Sequence, residues 1–578
     1  MSNNSFKARI AKLFDFNSTK AFCILCFLAV NLYLLAILHP FDSIIMGHDF
    51  QYHYLRIDAV QYNIENNSFS GIDYLFFDGG GYASFAYPDL FLYIPALLKI
   101  AGLSTGASMT VLIVLCNIFS YWFMYIFMKH ISKSPVLGTI GAVLYALSTY
   151  RLDNIVTRVA LGEVLAGVFW PLILYGLYDF IFGKFKKPYL LGFGFVGMLL
   201  SHSISTIMAL VLAVVLSLAF IKRIISDRRK LPMLFITAGF AVAVTAFYWL
   251  PLIELLSSCE ISVQYNTTYL PEENVIPVFW LFKDRITLSG VAGMKFPIFL
   301  LCIPRMFLTR SSPITRRYLT DRKTNKHKDI LVAADAFLVA GLVSALLSTE
   351  IIPWQALPEY FNFIQFPWRF FAPASILLIT AGTVYIYYIA LYTKASKVVM
   401  GIITAVALLI AFVHVEFSDL MHLEPGLYNN MYSTFEVGQG EWLPFAANDA
   451  GPNALRGRGE NVLLDNSLIP CERKNGTLTF VLSENETAAH AELPYIWYKG
   501  YEAEDENGNK LDISMSDIGL VQVDLRNAVG KITVEHKPTT IRMVSYFISL
   551  AAIVALVITA IFLCRKRRRS AAQSMTSA

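Results

Sequence analysis

Apolar residues along this chain come in long unbroken runs, joined by short polar links. Many runs approach the 20 or so residues that an α-helix needs to cross roughly 30 Å of hydrocarbon. They define twelve candidate crossings, at about 21–40, 107–128, 135–149, 163–182, 189–201, 204–221, 232–253, 296–308, 331–349, 369–391, 398–416 and 543–564. Runs such as 135–149 and 189–201 are short and must borrow flanking residues or tilt inside a bundle, which sets the count at ten to thirteen. Between about 417 and 541 the period changes to two, as in Gly519-Leu-Val-Gln-Val-Asp-Leu525 and Lys531-Ile-Thr-Val-Glu-His536, with a turn signal at Asn507-Gly-Asn509. The pattern predicts a mainly α, polytopic transmembrane helix bundle with a β-sandwich inserted before a last transmembrane helix. Its parts are a multi-span domain over 1–416 with a long outer loop at 41–105, an extracytoplasmic β-rich domain over 417–541, a C-terminal transmembrane helix over 542–564 and a basic tail over 565–578.

Composition strengthens this reading. Of 578 residues 56% are hydrophobic and only 15% charged, against about 25% charged in ordinary soluble domains. The net charge of +5 does not imply nucleic acid, because the basic residues sit in short alternate loops: Lys129 and Lys133, Lys184 to Lys187, Lys222 to Lys230, Arg316 to Lys328, Lys394 and Lys397, and Arg565 to Arg569. By the positive-inside rule these loops and both termini are cytoplasmic, in a multi-pass protein of the cell (plasma) membrane. Lys7, Arg9, Lys12 and Lys20 precede a run, Ala21 to Pro40, longer than a signal-peptide core, so it reads as a retained first span. Cys23 and Cys26 form a C-x-x-C inside that run, where they read as small buried hydrophobes rather than a redox pair.

The candidate chemistry collects in the outward-facing loops. Gly47-His48-Asp49-Phe50-Gln51-Tyr52-His53-Tyr54-Leu55-Arg56 follows the first span, and a helix from about Asp49 would put Asp49, His53 and Arg56 on one face. A carboxylate, an imidazole and a guanidinium together at a membrane surface can remove a proton, hold a divalent ion or neutralise a phosphate. An N-cap role for Asp49 on an interfacial helix is the competing reading. The second loop carries Arg151, Asp153, Arg158 and Glu163 at the start of a span, where charges are costly unless paired or used. His202 occupies a turn between two short spans, and Arg369 ends Phe363-Ile-Gln-Phe-Pro-Trp-Arg369, an aromatic entry to another. Phe77-Asp-Gly-Gly-Gly-Tyr82 reads as a tight turn, while Lys283-Asp284-Arg285 and the sequons at Asn266, Asn475 and Asn485 decide nothing.

Taken in order, several segments resemble the bacterial YfhO-like membrane proteins and the overlapping pyruvoyl-tetrahydropterin synthase-related group: Gly47-His-Asp-x3-His53, Tyr82-Ala…Tyr87-Pro-Asp89, Tyr150-Arg-Leu…Arg158-x4-Glu163, Ser201-His202, Gln365-Phe-Pro-Trp-Arg369 and Leu493-Pro…Tyr498-Lys-Gly-Tyr501. That family in turn resembles the GT-C superfamily of membrane glycosyltransferases. The resemblance implies transfer of a sugar from a polyprenyl-phosphate carrier to an envelope polymer, of the teichoic or lipoteichoic acid type, on the outer face. It implies Asp49 as catalytic base or metal-binding acid with His48 and His53 beside it. Glu163 and Asp153 become further acids at the rim, His202 a secondary residue, and Arg56, Arg158 and Arg369 ligands of the carrier phosphate. Mg or Mn is the candidate cofactor, with Asp49 and His53 as its ligands. The first loop lacks the D-x-D or paired acids of that superfamily, which leaves metal dependence open. Partners implied are the lipid-linked donor, the polymer acceptor, membrane lipid and a separate enzyme that makes the donor, with no nucleic acid.

Two other classes compete. A transporter or flippase of lipid-linked saccharides predicts ionisable residues midway along spans, and few stand there, Asp335 and His414 being the main ones. A non-enzymatic envelope-assembly protein would use the outer domain for binding and leave Asp49 replaceable.

Overall fold

The computed structural model describes residues 18–265, 269–282, 294, 296–308, 325–392, 421–423, 440–451, 460–465, 467–483 and 488–576. The run at 398–416, His414, Lys283-Asp284-Arg285 and the sequons at Asn266 and Asn485 lie outside them. Among the described residues six helices are long and apolar enough to cross a membrane: Thr19–Ile37, Thr105–Ser132, Leu161–Ile181, Lys328–Leu347, Pro367–Ile389 and Thr540–Phe562. One further pair, Lys230–Val244 and Ala246–Ser258, passes the same test together but bends by 69°. Other expected crossings are apolar helices of 10–17 residues, among them Pro135–Ala146, Pro188–Leu199 and Ser203–Ala219. The chain divides into two compact units: Met1–Tyr54, Leu97–Leu231 and Thr267–Tyr428, then Leu55–Ala96, Pro232–Asn266 and Asn429–Ala578.

The first unit is built from α1 (Ser18–Ile37), the start of α2 (Phe50–Glu65), α3 (Thr105–Ser132), α4 (Pro135–Ala146), α5 (Thr149–Val156), α6 (Leu161–Ile181), α7 (Pro188–Leu199), α8 (Ser203–Ala219), α9 (Asn325–Leu347) and α10 (Phe371–Tyr392). Local chemistry sets the helix ends. Ser104 caps α3 by accepting from the Ala107 amide at 3.1 Å. Lys133 closes α3 in the left-handed conformation, and Ser134 with Pro135 at the first position restarts the chain as α4. Helices α6 and α7 approach until there is no room for a side chain at Gly176 or Gly194, where a Cβ would lie 2.7 Å from Leu191 and 2.7 Å from Ile173. Contact this close replaces the hydrophobic drive that lipid does not supply. A polar thread crosses the bundle: Asn117 of α3 donates to Asn31 of α1 at 3.1 Å, and Arg151 of α5 donates to Ser120 at 2.7 Å. Asp335 of α9 is held by Arg305 through two hydrogen bonds, 2.6 and 2.8 Å, and by the Tyr385 hydroxyl at 2.8 Å. A short strand β1 (Ile44–Met46) pairs antiparallel with β2 (Met421–Leu423), so those three residues of the 417–541 segment join the first unit.

The second unit carries the remaining strands: β3 (Asn461–Leu464), β4 (Ser467–Pro470), β5 (Glu472–Lys474), β6 (Thr477–Val481), β7 (His490–Ile496), β8 (Tyr501–Glu504), β9 (Lys510–Leu511), β10 (Ile513–Met515), β11 (Leu520–Asp524) and β12 (Lys531–His536). They form two five-stranded antiparallel sheets, ordered β10-β11-β7-β3-β4 and β5-β6-β12-β8-β9. Alternate residues enter one shared core, Val462, Leu464, Leu493, Val521 and Val523 from the first sheet and Leu478, Phe480, Ala503, Ile532 and Val534 from the second. That is a β-sandwich, and its period-two burial is the pattern visible in the sequence.

From Pro232 onward the bent helix pair belongs to this unit, and its bend has a specific cause. The last helix, α11 (Thr540–Thr576), places the buried Ser549 at the break. Its hydroxyl accepts from the Phe247 amide at 2.9 Å and donates to the Ala243 carbonyl at 3.2 Å. Residues 243 and 247 are the i and i+4 partners of an uninterrupted helix, so Ser549 stands in for the bond that the bend removes. Replacing Ser549 with Ala should strand both backbone groups and cost about 1–3 kcal/mol. A thermal melt of the detergent-solubilised protein checks this, with Ser545→Ala, whose hydroxyl bonds only within its own helix, as the smaller control.

Candidate functional site

The centre of the first unit's polar residues is Glu163, in the first turn of α6, with its side chain 5% exposed. Isolated burial of a carboxylate is prohibitive, and here every oxygen is engaged. Arg158 Nη1 meets Oε1 at 2.7 Å. Tyr150 donates its hydroxyl to Oε2 at 2.6 Å, and Asn154 Nδ2 lies 3.3 Å from the same oxygen. Tyr150 and Asn154 are one turn apart on α5, and Arg158 lies one turn beyond, in the link to α6. Arg158 also donates to Asn154 Oδ1 at 2.7 Å. Burial works against the Arg158 charge, but Glu163, Tyr150 and Asp49 together raise its pKa above the ordinary value.

Arg369 completes the cluster from a short turn, Pro367–Phe370, ahead of α10. Its Nε lies 3.6 Å from Glu163 Oε1, too far for a hydrogen bond, and is buried with no hydrogen-bond partner. Its Nη1 is fixed by the Ile364 carbonyl at 2.8 Å and Gln365 Oε1 at 2.9 Å. Two non-glycine residues with positive φ frame the site, Val159 at 52° and Gln365 at 57°. A β-branched residue in that region is unusual and stores strain where the chain must turn sharply.

Asp49 enters the cluster from the first loop. The Asp49 amide donates to the Arg158 carbonyl at 2.9 Å. Gly47 passes so close to the Thr157–Val159 backbone that a Cβ there would lie 2.7 Å from the Thr157 oxygen. The Asp49 carbonyl accepts from the His53 amide at 3.2 Å, so Asp49 does occupy the cap position of α2. Its carboxylate faces elsewhere: Oδ2 is 3.9 Å from Arg158 Nη2, and the side chain is 43% exposed. Asp49 thus sits at a capping position by its backbone and presents an accessible carboxylate beside a buried cation. The exposed His48 is held below its ordinary pKa first by desolvation and then by Arg158, against the pull of Asp49.

The other sequence candidates separate. His53 is buried, with its ring beside Tyr52. Asp153 is buried within α5. Arg56, in the second unit, is committed to Asp89, donates to the Pro88 carbonyl at 2.6 Å and lies over the Tyr87 ring. Beside it Asp73, which sequence reasoning passed over, is raised to about 7 by burial and by the charge of Asp89. His202 is buried near the Glu163 cluster, and its Nδ1 accepts from the Ser205 amide at 3.3 Å and faces Ser205 Oγ at 2.8 Å. Burial, Arg369 and Arg158 outweigh Glu163 and bring its pKa down to about 3, so the ring is neutral. Among the described residues no three His, Cys, Asp or Glu side chains converge in a way that could hold a metal ion. Asp49 and His53 are two side chains, fewer than a divalent-ion site draws from a protein cage.

Residues 17–303 match a family model described as "Family of unknown function (DUF6541)". A protein of Lactococcus lactis subsp. cremoris (strain MG1363), described as uncharacterized, is 26% identical over 322 residues, covering 54% of this chain. The chain spans about half the length of that relative. Among solved structures, the arabinofuranosyltransferase AftD from Mycobacteria is similar with a TM-score of 0.36 and 14% identity, over 69% of this chain and 27% of that one. The archaeal oligosaccharyltransferase AglB from Archaeoglobus fulgidus, in complex with an inhibitory peptide and a dolichol-phosphate, gives 0.37 and 12%, over 74% of this chain and 61% of that one. At these scores no residue role is carried from one chain to the other.

Arg158→Met should destabilise the protein by about 3–5 kcal/mol, because it leaves a buried carboxylate with only the more distant Arg369. Adding Glu163→Gln to that variant should restore much of the loss, as read by thermal melts. His202 sets a pH dependence. Its folded pKa lies below the unfolded value, so its contribution to stability is full above about 6.5 and falls as pH drops toward 3. His202→Gln should flatten that part of a melting-temperature profile between pH 7 and pH 5.

Proposed function

We propose that the chain is an integral-membrane glycosyltransferase of the GT-C type, as in the YfhO-like group. It moves a sugar from a polyprenyl-phosphate-linked donor to a cell-envelope acceptor on the outer face, with both termini cytoplasmic. The observation that carries this reading is the pairing of an accessible carboxylate, Asp49, with a buried guanidinium cluster that retains an unused donor, Arg369 Nε. Glycosyl transfer from a lipid phosphate needs these two things: a base for the incoming hydroxyl and positive charge for the departing phosphate.

In this mechanism Asp49 takes the proton of the acceptor hydroxyl as its oxygen bonds to the anomeric carbon of the sugar. The bond from that carbon to the carrier phosphate breaks, and the electron pair leaves with the phosphate oxygen. The phosphate meets the guanidinium charge of Arg369, while Glu163 and Gln365 hold Arg158 and Arg369 in place. Arg56 is already neutralised by Asp89, so the carrier phosphate is assigned to Arg369 and, behind it, Arg158. An acceptor of the teichoic or lipoteichoic acid type is the class taken from the YfhO-like resemblance.

The test compares wild type with Asp49→Asn in membranes supplied with radiolabelled polyprenyl-phosphate sugar, following label into envelope polymer at matched protein levels. Transfer should fall by about 10²- to 10⁴-fold in the variant. Equal transfer in both would remove Asp49 from the chemistry, and label that crosses the membrane without entering polymer would favour a flippase.

A further inference from the structure

We propose that the second unit binds the phosphate of an anionic membrane lipid, in a cleft where α11 and the helix Ala246–Ser258 meet the sandwich loop at Lys499. Arg542, in the first turn of α11, lines this cleft with Lys499, Glu254, Pro251, Leu255 and Phe85. Arg542 is buried, and among the described residues no carboxylate lies within ion-pair distance of it. Glu254, the acid on the same wall, is taken by Lys499 Nζ at 3.0 Å and by the Thr539 hydroxyl. Asp73 is influenced by the charge of Arg542 but is no ion-pair partner of it. Lys499 and Glu254 offset each other, so the charge left over in the cleft is that of Arg542. A buried cation without a counter-charge is expensive.

Neutral partners hold the guanidinium in place. Its Nε donates to the Tyr546 hydroxyl at 2.7 Å, its Nη1 donates to the Ser70 carbonyl, and the Phe85 ring lies 5.2 Å away. Nη2 makes no hydrogen bond among the described residues and is not sealed off from solvent. Gly71 makes room for this arrangement, because a Cβ there would fall on the guanidinium. The ring of His536 faces the Ser70 carbonyl at 2.9 Å and the Lys499 carbonyl at 3.1 Å, which ties the acceptor of Arg542 to the loop that carries Lys499. Inside the cleft there is room for about one water-sized group, 10 Å³, and the cleft is partly open. A phosphodiester therefore extends one oxygen toward Nη2 and keeps the rest of its headgroup outside. Position argues for a lipid as the source. Arg542 stands at the end of the candidate span Thr540–Phe562, where headgroups lie, and Phe85, Pro251 and Leu255 make the walls apolar. Ile253 on one helix and Met543 and Phe547 on the other are exposed, a surface along which acyl chains can lie. The site does not depend on the reaction proposed above.

The experiment melts the full-length protein in detergent with added phosphatidylglycerol, phosphatidylcholine or inorganic phosphate. Phosphatidylglycerol should raise the melting temperature by a few degrees in a saturable manner. Phosphatidylcholine, whose choline offsets its phosphate, and inorganic phosphate, which has no chains, should each raise it far less. Arg542→Gln should abolish the shift. Ser258→Phe, which fills the cleft and leaves Arg542 in place, should abolish it too and serves if the first variant fails to fold. Arg228→Gln, at an exposed basic residue outside the cleft, should keep the full shift. An equal shift from inorganic phosphate or from phosphatidylcholine would overturn the proposal. So would a phosphatidylglycerol shift that survives undiminished in the cleft variant that folds, or one that Arg228→Gln removes as fully.

Discussion

The ion pair between Glu163 and Arg158 is the constraint around which the first unit is arranged. A carboxylate that is 95% shielded from solvent can stay charged only if its neighbours are placed to within hydrogen-bond distance. That requirement fixes the turn of α5 that carries Tyr150 and Asn154, the strained link at Val159 and the approach of Arg369. It also explains why the first loop comes close. Gly47 has no side chain to keep it from the Thr157–Val159 backbone, and Asp49 is tied to the Arg158 carbonyl. The accessible acid is therefore held by the same residue whose charge balances the buried one.

Much of the architecture was legible in the sequence because hydropathy reports directly on what faces lipid and what faces a core. Long apolar runs such as 107–128 became long helices, and the alternation at Gly519 to Leu525 became a strand of the sandwich. The shorter runs were harder, because a 12-residue helix such as α7 earns its place through close packing on α6 rather than through its own length. The position of β2 was invisible for a different reason. Three residues of ordinary composition pair with β1 nearly 400 residues earlier, and nothing local marks such a partner.

Of the site, sequence supplied the types of residue but not their partners. Arg158 and Glu163 stand out as charges at the start of a span, Asp49 as an acid on the face of a first-loop helix and Arg369 as the end of an aromatic entry to a span, and the structure gathers them. Arg56 stands out for sharing that helical face, yet its charge is met by Asp89 within the second unit. Helical spacing told which residues share a face of α2 but could not show which of them another loop would claim. Asp335, the residue that most favoured passage through the membrane, is matched by Arg305 and Tyr385 in a bidentate pair typical of a structural tie.

The serine that bridges the bent helix pair has a consequence for how the protein is made. Residues 243 and 247 leave the ribosome about 300 residues before Ser549, and the intervening chain includes the whole β-sandwich. Until the last helix enters the bilayer, the kink has an unpaired amide and carbonyl in a region with little water to satisfy them. Insertion of that helix is therefore the step that completes the kink, and a nascent chain arrested before it would leave the Phe247 amide and the Ala243 carbonyl without this partner.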